Sequence, residues 1–156
     1  MGQSLKVIRG NFDGQEYDNC IILNPISDNL NYGTIVNNTK IGVFKIKLSP
    51  HVGVGKIFIP KLLMKYFKIN YNSNVYFSSH IDQDIHSYIR INIQRLNNLN
   101  DISIMNISRL NKFLNDIKYV SEAPIIYRED NTNYLIYVKS NGECIELRNT
   151  KIRITN

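Results

Sequence analysis

No run of apolar residues in this 156-residue chain approaches the roughly 18 that cross a bilayer as a helix. The opening MGQSLKVIRG also lacks the apolar core of a signal peptide. Gly2 is placed for myristoylation, yet Lys6 stands where that signal needs Ser or Thr, and Ser4 comes too early. We therefore expect a soluble, untargeted chain with no membrane insertion. Cysteine is scarce: Cys20 and Cys144 lie far apart, each in an apolar alternating stretch. That pattern argues against a disulfide framework or a zinc knuckle and for small buried thiols in a reducing compartment.

The marks of catalysis are equally thin. The tetrapeptide 53–56, GVGK, is too short for a phosphate loop, and Ile57 stands where that loop has Ser or Thr. His51 follows Pro50 in a turn and has no partner visible in the sequence. Neither cysteine nor any serine sits in a nucleophile elbow. The expectation is a protein that is not an enzyme and holds no cofactor.

What is present is enough apolar residue, 43%, for one ordinary domain or two small subdomains to bury a core. The net charge of +6 and a pI near 9.3 permit contact with nucleic acid or an acidic surface, but Lys and Arg are scattered along the chain. About three residues in ten are Ile or Asn, a bias expected of an AT-rich genome, with no tract long enough to be low-complexity.

Residues 55–69, GKIFIPKLLMKYFKI, are the most informative segment. A short apolar strand runs into a helix opened by Pro60, whose missing N–H costs nothing in the first turn. Leu62, Tyr66 and Ile69 follow at helical spacing with Leu63 and Phe67 beside them, which predicts one apolar face. Residues 5–8, 20–23, 43–48, 74–81 and 87–94 read as strands, the last with Ile89, Ile91 and Ile93 alternating against polar positions. In residues 43–48, Val43, Lys45 and Lys47 alternate with Phe44, Ile46 and Leu48. A second helix follows from Ile107, Leu110, Leu114 and Ile117, widened by Phe113, with Asn106 as its N-cap. From Pro124 onward three or four strands form a meander, with 129–133 and 139–142 as hairpin connections and Asn141-Gly142 the stronger turn signal.

Metal-ligand residue types occur at His80, Asp82, Asp84 and His86. In an extended strand the outer two would be roughly 20 Å apart and could not share an ion, so only neighbouring pairs qualify and a solvated strand end is the simpler reading. The pairs Glu143 with Glu146, and Glu129 with Asp130, read as solubilising hairpin charges. Tyr127, Tyr134 and Tyr137 form either an exposed aromatic surface for a partner or plain sheet packing.

The order of these elements resembles the N-terminal domain of the ubiquitin fusion degradation protein family, adaptors of the valosin-containing AAA ATPase. Residues 55–72, with Phe58-Ile59-Pro60 at the strand end, resemble the family's glycine-led strand ending in aromatic-Leu-Pro and its following helix. Cys20-Ile21-Ile22-Leu23-Asn24-Pro25, followed by Asp28-Asn29-Leu30, is similar to its Lys-Ile-Ile-Met-Pro-Pro strand and Asp-Gln-Leu turn. Phe44-Lys45-Ile46, residues 102–117, Tyr134-Leu135-Ile136-Tyr137-Val138 and the stretch 144–154 extend the likeness over about residues 18–156. Three places depart from the pattern: Asn24 precedes Pro25, Ala123-Pro124 replaces a Gly-Asp turn, and Asn97-Asn98-Leu99-Asn100 replaces a proline-rich linker.

The resemblance implies a β-rich mixed α/β (α+β) fold: a double-psi β-barrel subdomain over residues 1–84, then a smaller α+β roll over 85–156. It implies a non-catalytic adaptor that binds ubiquitin or polyubiquitin and helps an AAA ATPase segregase extract or unfold ubiquitylated proteins. The setting is ER-associated degradation or a plastid-import machine derived from it. The compartment is cytoplasmic, nuclear or plastid-surrounding. The resemblance does not reach the segment with which family members bind the ATPase and a second adaptor, so those contacts are not carried to residues here. Ubiquitin's apolar patch is ringed by basic residues, so acidic spots beside tyrosines mark the expected docking face: Tyr127, Tyr134, Tyr137, Glu143 and Glu146. The alternative is a small basic RNA- or DNA-binding domain, which would need Lys and Arg converging on one face with aromatics free to stack on bases.

Overall fold

Short strands separated by polar turns leave many edge N–H and C=O groups to satisfy, and closing a sheet on itself removes the edges altogether. The first part of this chain takes that solution. The computed structural model describes residues 2–26, 31–95 and 106–155. It is a β-rich α+β fold with a closed six-stranded barrel and, among the described residues, two α-helices. The chain divides into two units, residues 1–82 and 83–156.

The barrel comprises β1 (Gly2–Val7), β2 (Cys20–Leu23), β3 (Tyr32–Asn37), β4 (Lys40–Leu48), β5 (Lys56–Phe58) and β6 (Asn74–Ser78). Around it they run in the order β1-β5-β2-β4-β3-β6, and β6 pairs back to β1. Two neighbouring pairs are parallel, β1 with β5 and β2 with β4; the others are antiparallel. All four residues of β2 are buried, so it needs cover on both faces. On one face Ile22 joins Phe58 and Val52 beneath Ile8, Phe12 and Tyr17. The Phe12 ring lies 4.8 Å from Phe58 and 5.2 Å from Tyr17, pinning the loop before β2.

Helix α1 (Lys61–Phe67) follows β5. Pro60 is its N-cap and accepts from Leu63 and Met64 N–H groups at 3.0 Å. Lys68 then turns left-handed, φ 56°, and Ile69 N–H returns to the Met64 carbonyl at 2.9 Å, a Schellman closure that leaves Ile69 buried. The helix is thus shorter than its apolar pattern, and its buried face is Leu63, Met64 and Phe67, with Leu62 and Tyr66 half-buried. Phe67 makes an edge contact with Phe44 at 5.9 Å. A Cβ at Gly42 would come within 2.6 Å of the Phe44 ring and 3.2 Å of Phe67, so the small residue is what lets this pair seat.

The second unit holds β7 (Asp84–Ile85), β8 (Tyr88–Arg95), α2 (Ile107–Ile117), β9 (Tyr119–Val120), β10 (Ile125–Glu129), β11 (Thr132–Val138), β12 (Ile145–Glu146) and β13 (Lys151–Ile154). One sheet runs β10-β11-β8-β13 and a smaller one β7-β12-β9. Ile89, Ile91 and Ile93 of β8 face Leu110 and Leu114 of α2 in a single core that Phe113 and Ile117 flank. Asn106 caps α2, its side chain accepting from Arg109 N–H at 3.1 Å. Asn supplies four of the tight turns, since Asn19, Asn38, Asn72 and Asn149 all take positive φ.

The structure corrects several expectations here, among them Ile107, which is exposed at the start of α2 and not on its buried stripe. The turn at residues 139–142, with Gly142 at φ 77°, is no hairpin: it carries the chain from β11 to the other sheet, where β12 pairs with β7 and β9. The closing strands form no simple meander, because β13 pairs in parallel with β8. Leu48, expected on a buried face, is 40% exposed at the end of β4. Strands β3, β7 and β9 carry no pattern that sequence reading singled out. The turn 28–30 and the linker 97–100 lie outside the described residues, as does the start of the 102–117 likeness. No described helix is long and apolar enough to cross a membrane.

Phe67, 1% exposed, tests the packing of α1. We expect Phe67→Ala to cost about 3–5 kcal/mol in denaturant melts. Leu62→Ala, on the half-buried side, should cost clearly less; equal losses would contradict the buried face described.

Candidate functional site

Of the five residues expected to face ubiquitin, three are inside. Tyr127 and Tyr134 are register partners on β10 and β11, their rings stacked at 6.1 Å, and they are 4% and 2% exposed in the core of the second unit. Phe113 of α2 lies 4.7 Å from Tyr127. Sheet parity explains the correction: both point to the face that α2 covers, so neither can touch a partner. Burial pushes the Tyr127 phenol up from its ordinary value, and the neighbouring Glu129 carboxylate adds to this.

Glu129 is not a solubilising charge either. It is 6% exposed, its carboxylate accepts the Asn106 N–H at 3.3 Å, and Arg109 lies 3.4 Å away. A buried carboxylate thus anchors the start of α2, where a negative charge complements the helix dipole. Glu146, on β12, is 4% exposed and accepts from Arg148 Nε at 2.7 Å and Gln83 Nε2 at 3.2 Å. The hydrogen bond from Arg148 holds its carboxyl below the ordinary value. Only Tyr137 and Glu143 keep access to solvent. Tyr137 lies opposite Asn92 on the outer face of the larger sheet.

Glu143 sits in a small cluster whose third member is distant in sequence. The pairing of β7 with β12, supported by Asp84 N–H to the Cys144 carbonyl at 3.0 Å, brings Asp84 and His86 beside it. One ligand-type atom from each lies within 4.8 Å of the others. His86 Nε2 is 3.3 Å from the Glu143 carboxylate. The hydrogen bond with Asp84 raises Glu143 above its ordinary carboxyl value, burial adds to the rise, and His86 opposes it. The three side chains thus contact one another on the surface of the second unit. His80 and Asp82, expected in the same run, form a separate exposed pair at 3.5 Å in the first unit.

Residues 53–56 form a turn closed by Lys56 N–H to the Gly53 carbonyl at 3.1 Å, leading into β5 and not into a helix. Both thiols are buried, and burial pushes Cys144 up to about 12.

Exposed apolar side chains that sequence reading missed occur in both units, Ile85 and Ile107 in the second and a group on the barrel turns in the first. Ile26 is 78% exposed, Val54 67% and Leu48 40%. One residue ties their turns together: the Asn24 amide donates to the Val52 carbonyl at 2.7 Å, and its oxygen accepts from Ile26 N–H at 2.9 Å. Leu48 pairs with Leu23, immediately before Asn24, and Ser49 N–H bonds the Leu23 carbonyl. The only hint in the sequence was an apolar residue after each turn signal, as in Pro25-Ile26 and Gly53-Val54.

Comparison of the chain with family models and with curated proteins gave no match.

The Asp84–Glu143 contact makes a pH-dependent prediction. The folded chain holds the Glu143 proton more tightly than the unfolded chain, so this contact stabilises most at acid pH and the gain is lost as pH rises through the raised titration. Asp84→Asn removes the charge and supplies an amide donor, so the Glu143 midpoint, followed by carboxyl NMR titration, should fall. An unchanged or higher midpoint would show that Asp84 does not set it.

Proposed function

We propose that this chain is a non-catalytic ubiquitin-binding adaptor, cytoplasmic in setting, that helps an AAA ATPase segregase extract or unfold ubiquitylated proteins. Its first unit is then a double-psi barrel and its second an α+β roll. One observation carries the reading. A closed six-stranded barrel with two parallel pairs is followed by a separate α+β unit, in the order implied by the residue resemblance to the ubiquitin fusion degradation family.

The docking face moves with the structure. With Tyr127, Tyr134 and Glu146 buried, the expected surface keeps only Tyr137 and Glu143, and the exposed Lys139, two residues along from Tyr137, adds positive charge that would repel the basic rim of ubiquitin's patch. The apolar tips Ile26, Leu48 and Val54 suit an apolar patch better. Asn24 holds the turns that carry Ile26 and Val54 in place before any partner arrives, which limits the ordering cost of binding.

The test is calorimetric titration of the chain with mono-ubiquitin. A charge placed in a desolvated apolar contact is costly. The double variant Ile26→Asp/Val54→Asp should weaken binding by about tenfold or more, corresponding to about 1.4 kcal/mol. Tyr137→Ala should leave it unchanged. Loss with Tyr137→Ala and none with the double variant would return the site to the second unit. No binding by the unaltered chain would overturn the adaptor reading.

A further inference from the structure

Strand β8 shows Tyr88, Arg90 and Gln94 to solvent, while Ile89, Ile91 and Ile93 enter the core. Register then decides what stands beside them. Arg153 on β13 is the partner of Arg90, and Lys151 that of Tyr88. On the other side β11 brings Tyr137 opposite Asn92, and two residues on Lys139 donates its N–H to the Arg90 carbonyl at 2.9 Å. Lys139, Arg90 and Arg153 thus form a row across three adjacent strands, spaced about 5 Å apart.

Like charges directly opposite one another destabilise a sheet. Among the described residues none of Arg90, Lys139, Lys151 or Arg153 has an ion-pair partner, and the nearby Asp84 and Glu143 are engaged with each other and with His86. The outward positions of β8, β11 and β13 include no carboxylate. Two rings flank the row: Tyr88, 39% exposed, with the Arg153 guanidinium 4.1 Å over it, and Tyr137, 37% exposed. A cavity of about 220 Å³ opens at this end, lined by His86, Tyr88, Arg90 and Lys139 among others.

We propose that this sheet face binds single-stranded nucleic acid, with phosphates along Lys139, Arg90 and Arg153 and bases against Tyr88 and Tyr137. An uncompensated row of cations calls for a polyanion, and the tyrosines decide which kind. A duplex hides the flat faces of its bases, and an acidic peptide would satisfy the charges while leaving both rings unused. The row belongs to the second unit and shares no residue with the apolar tips of the barrel, so this inference stands or falls independently of ubiquitin binding.

Fluorescence anisotropy of the full chain with an oligouridylate of about 12 nucleotides, duplex RNA of that length and polyglutamate tests it. With three or four phosphates engaged, affinity for the single strand should fall on the order of 20- to 50-fold between about 50 and 200 mM salt. Arg90→Gln/Arg153→Gln should weaken binding about tenfold and flatten that dependence. Tyr88→Ala and Tyr137→Ala should each cost about fivefold or more, whereas Tyr88→Phe and Tyr137→Phe, which keep the rings, should bind normally and separate stacking from a folding defect. Lys45→Gln/Lys65→Gln, an equal loss of two exposed charges on the first unit, should change little. Polyglutamate or duplex binding as tight as the single strand, full affinity in both alanine variants, or no binding at low salt would each overturn the proposal.

Discussion

The two-residue alternation of β8 is the constraint on which the second unit depends. It is an inner strand of its sheet, paired antiparallel with β11 and parallel with β13, and its isoleucines carry the core against α2. A slip of one residue would put Tyr88, Arg90 and Gln94 against that helix and send Ile89, Ile91 and Ile93 into water. The same parity that buries the isoleucines aligns Arg90 with Lys139 and Arg153 outside. Core and basic face are two sides of one register, so the surface charge is a fixed feature of the fold and not a drift of mobile side chains.

The barrel obeys a different constraint. Its strands are short, β5 only Lys56–Phe58, and gain stability from closure and from parallel partners far apart in sequence. Closure lets the turns at its edge be specified by single residues. Asn24, with one donor and one acceptor in use, fixes two turns at once and leaves Ile26 and Val54 outside. Apolar side chains held that way stay in water in the free protein, which supports the docking surface proposed for them.

Much of this framework was legible in the residues. The alternation of 87–94, the Asn106-capped helix and the proline-opened helix after β5 are local patterns, and the structure places each within a residue or two of expectation. Burial that depends on distant partners was not legible. Tyr127 and Tyr134 read equally as surface or core until the pairing with β8 and the cover of α2 are known. Glu129 and Glu146 look like hairpin charges until Asn106 with Arg109, and Gln83 with Arg148, are seen to hold them. The buried face of α1 centres on Leu63, Met64 and Phe67 and not on Leu62 and Tyr66, and a left-handed Lys68, a conformation that Lys rarely takes, ends the helix before Ile69. The trio Asp84, His86 and Glu143 was half visible, since two members are neighbours in the chain and β12 delivers the third.

The adaptor reading is tested most directly by NMR titration of the isotope-labelled chain with mono-ubiquitin. The account predicts saturable shifts at Asn24 and Ile26 and around Leu48 to Val54, with the Lys139, Arg90 and Arg153 row unmoved. Shifts confined to the second unit, or none as ubiquitin reaches millimolar concentration, would contradict it.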